Sequence, residues 1–79
     1  KNNMDYIVKV KEIISKHAGI EIEEIKAESF FEEDLNIGEL ELNEIYQEIE
    51  ETLEVDLSEE RKEFETFEDL VGALNEKLD

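Results

Sequence analysis

The sequence contains no cysteine, no proline and no tryptophan, and it has no long apolar run. Without cysteine the chain has neither a disulfide framework nor a thiolate metal site. A membrane-spanning helix needs about 20 consecutive apolar residues, so we expect no membrane insertion. Because no basic-then-apolar leader opens the chain, we expect a cytoplasmic protein. The absence of proline favours uninterrupted helices.

Positive charge is missing from the middle of the chain. No Lys or Arg lies between Ala27 and Glu60, a segment with fourteen Asp and Glu residues, and the formal net charge is −17. Such a field repels nucleic-acid phosphates and anionic membranes. We therefore expect no nucleic-acid or membrane partner, and instead attraction to a protein with a basic surface.

The apolar residues that are present recur at helical spacing. The 79 residues suit one all-α domain covering positions 1–79. We predict a first helix over about 4–18 that ends at Gly19, a second over Glu39–Leu53, and a last one opened by Thr66 with Asp69 as a capping box. A short helical turn is expected after Ser58. The connection 20–37 has enough apolar residues to form a packed loop.

The predicted second helix has two distinct faces. Its apolar face recurs every three or four positions, and its acidic face has nearly the same spacing. Like charges four residues apart destabilise a helix, as at Glu44 and Glu48 or Glu50 and Glu54, and we expect no cation to be placed where it relieves them. The acidic face is therefore either a solvated surface or a docking surface. Gly72, inside the last helix, suggests a close approach of another helix.

Catalytic and metal-binding sets are not apparent. His17 is the only histidine, and no Ser/His/Asp arrangement can be assembled around it, so we do not expect an enzyme. An EF-hand loop starting at Asp34 fails, because Gly38 falls at position five and Ile45 at position twelve. We predict no specific metal site.

Several motifs in chain order carry a family resemblance. The first helix ends at Ala18, Gly19 and Ile20, and the following loop has Phe30 or Phe31 before Glu33, Asp34 and Leu35. A long acidic helix, a short helix and an amphipathic helix are expected to follow. In this order and at these lengths, nearly the whole chain resembles the acyl carrier protein family. The resemblance implies a small four-helix bundle of three main helices and one short helix.

The family's modification motif is altered. Where the family has Gly-x-Asp-Ser-Leu, this chain has Asn36, Ile37, Gly38, Glu39 and Leu40. The family's serine hydroxyl receives 4′-phosphopantetheine from coenzyme A, and Glu39 occupies that position. A carboxylate could form only a mixed anhydride, which water would hydrolyse. We therefore expect no cofactor. Glu39 itself is either a charge that mimics the phosphate or a glutamate favoured by the helix dipole.

The resemblance implies a non-catalytic interaction module that kept the docking helix and lost the prosthetic group. We expect a monomer whose partner is a basic-faced protein, such as a carrier-pathway enzyme. The expected partner-binding residues are Glu39, Leu40, Glu41, Glu44, Glu48, Glu50 and Glu51. One alternative is a genuine acyl or peptidyl carrier of fatty-acid, polyketide or peptide-synthetase metabolism. Another is an acidic decoy that binds basic proteins indiscriminately.

Overall fold

The fold is all-helical, as the apolar periodicity predicts. A computed structural model describes residues 3–78, and within them the side chains of residues 5–78. In this part of the chain there is no β-strand, only an isolated bridge between Phe30 and Thr66. The three α-helices are α1 (Asn3–Ala18), α2 (Glu39–Leu53) and α3 (Phe67–Leu78).

The connections contain only single turns of 3-10 helix. One turn, Ile22–Glu24, lies between α1 and α2, and the other, Arg61–Glu63, lies between α2 and α3. The short fourth helix that we expected after Ser58 is therefore reduced to the Arg61–Glu63 turn. The main chain still turns there, because the Arg61 N–H donates to the carbonyl of Leu57 at 2.9 Å.

Each helix boundary has a local cause. Gly19 adopts the left-handed conformation (φ 70°) that stops α1, and its N–H donates to the Ser15 carbonyl at 2.9 Å. Glu54 ends α2 in the same conformation (φ 57°), which a residue with a side chain adopts at a cost. The Thr66 hydroxyl accepts from the Asp69 N–H at 3.2 Å, while the Asp69 carboxylate accepts from the Thr66 N–H at 3.1 Å. The predicted capping box is thus confirmed.

One core joins all three helices and the long connection. Ile45 and Ile49 on α2 are fully buried, which confirms the predicted apolar face. The connection 20–37 is packed as expected, since the side chains of Ile25, Phe31 and Ile37 within it are buried. Burying the apolar side chains of the helices and of this connection removes apolar surface from water, and it supplies the main driving force for folding. The other buried apolar residues are Tyr6, Val10, Ile13, Ile14, Leu35, Tyr46, Leu57, Phe67, Leu70 and Leu74.

Gly72 on α3 does not mark a close helix approach. A Cβ built at this position would meet no heavy atom within 4 Å outside its immediate surroundings. Our expectation from the sequence was wrong here, because a mid-helix glycine can be an unfavourable residue at an open position.

Candidate functional site

The first turn of α2 is open to solvent. Gly38, the residue before the helix, is extended and provides no side-chain cap, although its carbonyl accepts from the Leu42 N–H at 2.9 Å. Glu39 is the first helical residue and its side chain is exposed. Glu39 and Glu41 place two negative charges in the first turn, where the helix dipole stabilises them.

Leu40 is the most informative side chain of this turn. It is 82% exposed and lies between Glu39 and Glu41. A single exposed leucine is common on protein surfaces. At this position it places an exposed apolar group between two carboxylates in the first turn of α2.

Farther along α2, Glu44 and Glu51 are also exposed. The Glu44 carboxylate lies 3.9 Å from Nδ1 of His17, at the outer limit of an ion pair. The carboxylates of Glu44 and Glu51 therefore remain available to a protein that approaches this helix.

Glu48 makes close contacts within the fold. Its Oε2 lies 2.7 Å from Nζ of Lys16 and its Oε1 lies 2.6 Å from Nε2 of His17, both at the end of α1. The hydrogen bond from Lys16, followed by that from His17, lowers the pKa of the Glu48 carboxyl. The expectation that no cation relieves the charge of Glu48 is wrong, because the end of α1 brings the Lys16 ammonium to within 2.7 Å of this carboxylate.

Glu50 is also engaged within the chain. Its Oε2 accepts from the Leu57 N–H at 2.7 Å, and its Oε1 lies 3.9 Å from Nη1 of Arg61. This carboxylate holds the connection after α2 against the helix. The acidic face predicted from the sequence therefore divides into carboxylates that support the fold and carboxylates that point to solvent.

A groove runs beside α2, next to the Arg61–Glu63 turn. It has a volume of about 620 Å³, and Tyr46, Arg61 and Lys62 are among the residues that line it. No motif or spacing in the sequence indicates a site at these residues. Tyr46 follows Ile45 and extends the apolar stripe of α2, so its burial could have been predicted. Arg61 lies in a connection, where no periodicity indicates which way a side chain points.

No protein-family model matches the chain, so the resemblance to acyl carrier proteins rests on its sequence motifs. Among residues 3–78, no helix is both long and apolar enough to cross a membrane. Over the same part of the chain, no three His, Cys, Asp or Glu side chains come together in a way that could hold a metal ion.

Proposed function

We propose that this chain is an acyl-carrier-like module without the modified serine, which binds a basic-faced protein through the solvent-exposed side of α2. In this proposal the Arg61–Glu63 turn takes the place of the family's short helix. The order and lengths of α1, α2 and α3 support the proposal of an acyl-carrier-like module. So does the start of α2 at Glu39, the position of the family's serine. The module carries no prosthetic group and catalyses nothing itself.

The exposure of Leu40 is the observation that carries this proposal. No neighbour in the fold requires a leucine at a position that is 82% exposed. Fully covering such a side chain contributes roughly 1.5–3 kcal/mol, so a partner with an apolar pocket gains affinity by burying it. An acidic decoy would need only charge, so an apolar anchor among the acids favours a defined docking site.

The docking surface consists of five residues: Glu39, Leu40, Glu41, Glu44 and Glu51. We omit Glu48 and Glu50 from the predicted set, because their carboxylates are already bound by Lys16, His17 and the Leu57 N–H. The four remaining glutamates steer a basic surface toward Leu40. Such charges raise the association rate and suppress acidic partners more than they raise affinity.

Site-specific crosslinking tests the proposal. A photoreactive residue replaces Leu40 in one variant and Val8 of α1, which is 48% exposed, in the matched control. In extract from the native cell, we expect one discrete adduct from position 40 and none from position 8. Added salt should weaken adduct formation because it screens the steering charges.

Charge reversal separates a site from diffuse attraction. The double variant Glu44→Lys/Glu51→Lys should abolish the adduct while the circular dichroism stays helical. Reversal of Glu12 and Glu76, which lie on α1 and α3, changes the net charge equally and should leave the adduct in place. Equal losses from both double variants would overturn the docking surface and favour an indiscriminate acidic decoy.

A further inference from the structure

A small pocket lies between the connection 20–37 and the segment that precedes α3. Its volume is about 190 Å³, and the phenylalanines Phe30, Phe31 and Phe64 are among the residues that line it. Sites for drug-sized molecules usually enclose about 300–1,000 Å³. A pocket of this size therefore suits one protruding side chain of another protein.

The charges around this pocket are all negative. Glu32, Glu33 and Glu65 line it and are exposed, and their carboxylates have no hydrogen bond or ion pair within the described part of the chain. No Lys, Arg or His is among the lining residues. The pocket differs in this respect from the groove beside α2, which Arg61 and Lys62 line. Its occupant should therefore carry a positive charge.

Phe30 presents an aromatic ring to solvent from a fixed main chain. The residue is 40% exposed, whereas the next residue, Phe31, is buried in the core. The Phe30 N–H donates to the Asp34 carboxylate at 2.8 Å, and the Phe30 carbonyl accepts from the Asp34 N–H at 2.9 Å. Phe30 also forms the isolated bridge to Thr66. A ring held in this way loses little freedom when a ligand covers it.

An arginine side chain matches the chemistry of this pocket. Its guanidinium is planar, stacks on aromatic rings and donates paired hydrogen bonds to carboxylates. Its aliphatic stem can cover an apolar wall, which Leu42 provides here. A lysine ammonium is a compact, strongly hydrated charge that neither stacks on a ring nor forms the paired hydrogen bonds.

We propose that this pocket binds one arginine side chain of a basic protein partner. The guanidinium stacks on the ring of Phe30 and donates to the carboxylates of Glu33 and Glu65, and the stem lies against Leu42. The partner is the one in the proposed docking function, on which this part of the inference rests. The preference for arginine rests on the pocket alone, so the two parts can be tested separately.

Titrations followed by amide chemical shifts test the preference for arginine. The probe is N-acetylarginine amide, with N-acetylcitrulline amide as its neutral isostere and N-acetyllysine amide as the other cation. We expect saturable shifts at Phe30, Glu33 and Glu65 with the arginine probe, and no saturation with the citrulline probe. The lysine probe should bind about threefold more weakly, because it lacks the stacking contact. Equal binding of the lysine and arginine probes would overturn the preference for arginine.

Matched variants separate the pocket from diffuse attraction to an acidic protein. Phe30→Leu keeps an apolar side chain but removes the aromatic face, and it should weaken the arginine probe about threefold. Glu65→Gln should weaken it by a similar factor. Glu68→Gln on α3 makes the same charge change at an exposed residue that does not line the pocket, and it should have no effect. Equal weakening by Glu65→Gln and Glu68→Gln, or binding unaffected by Phe30→Leu, would overturn the pocket.

The crosslink from position 40 tests whether the docking partner supplies the arginine. Phe30→Leu, introduced into the variant with the photoreactive residue, should reduce the discrete adduct about threefold, whereas Glu68→Gln should leave it unchanged. An adduct unaffected by Phe30→Leu would overturn the assignment of the pocket to this partner. Absence of any adduct, with the arginine probe still bound at Phe30, would overturn the docking function and the partner together but would support the selectivity of the pocket.

Discussion

The carboxylate of Glu48 lies 2.7 Å from the Lys16 ammonium, and this contact joins the acidic helix α2 to the end of α1. The second carboxylate oxygen of Glu48 lies within hydrogen-bond distance of Nε2 of His17, at 2.6 Å. The sequence pattern places Glu48 on an outer acidic face of α2, yet its carboxylate holds α2 against the end of α1. Glu44, one turn earlier on α2, reaches His17 only at 3.9 Å, and the difference between the two glutamates can be measured.

Neutralising Glu48 should destabilise the protein. We expect Glu48→Gln to lower the thermal midpoint, because the variant loses the charge that Lys16 and His17 contact. Glu44→Gln is the matched control, one turn earlier on the same helix. Since Glu44 is exposed and reaches His17 only at 3.9 Å, its neutralisation should not lower the midpoint. Equal midpoints for the two variants would mean that the contact of the Glu48 carboxylate with Lys16 and His17 contributes nothing to stability.

Asp69 should give the protein a characteristic acid sensitivity. Hydrogen bonds from the Glu65 N–H and the Thr66 N–H lower the pKa of Asp69 below its ordinary value of 3.8. Because the folded pKa is the lower one, this stabilisation is present above the unfolded value and is lost as the pH falls through the folded value. We expect Asp69→Asn to be destabilised near neutral pH, and the difference from wild type to shrink below pH about 4. Urea unfolding at several pH values measures it. A constant difference would contradict the assignment.

Gly72→Ala should stabilise the protein. The position is in the interior of α3, and a Cβ there meets no neighbour within 4 Å. Alanine is favoured over glycine in a helix interior by about 1 kcal/mol, which corresponds to roughly 4–8 °C in the thermal midpoint of a domain of this size. Gly19→Ala is the contrasting variant and should destabilise, because Gly19 has a φ of 70°. A lower midpoint for Gly72→Ala would show that the position has a steric role.

Salt should stabilise the fold. Fourteen acidic residues without a Lys or Arg occupy the segment between Ala27 and Glu60, and Lys16, His17 and Arg61 approach only some of them. Screening weakens the remaining repulsion, so we expect the thermal midpoint to rise with added salt and with millimolar Mg²⁺ or Ca²⁺. Differential scanning calorimetry at low and moderate salt measures the change. An unchanged or falling midpoint would show that repulsion does not limit stability.

Helix boundaries and faces were accessible from the sequence because they depend on local chemistry. The Glu39–Leu53 helix, the Gly19 stop and the Thr66–Asp69 cap are each determined by residues within a few positions of one another. The short helix after Ser58 was overestimated. The segment forms only the Arg61–Glu63 turn, because a single turn fixes several residues in exchange for few hydrogen bonds.

Contacts between distant segments were not accessible in this way. The pairing of Glu48 with Lys16 joins residues 32 positions apart. The capture of the Leu57 N–H by Glu50 depends on how the chain leaves α2. A helical pattern gives the face on which a glutamate lies, but not which other helix supplies a cation there. For the same reason the groove at Tyr46 and Arg61 became visible only in the folded chain.

The central claim is that Glu39 stands where a carrier would present its serine. Incubation with coenzyme A, Mg²⁺ and a promiscuous phosphopantetheinyl transferase, followed by intact-mass spectrometry, tests this directly. We expect the unmutated chain to keep its mass and Glu39→Ser to be modified slowly or in part. Gly38→Asp/Glu39→Ser restores both the acid and the hydroxyl of the family's motif and should be modified readily. Each variant is first checked for native helical content.

Failure of the folded double variant to react would contradict the acyl-carrier resemblance beyond the fold. A phosphopantetheine mass increment on the unmutated chain would contradict the account most directly, because it would make this protein a genuine carrier.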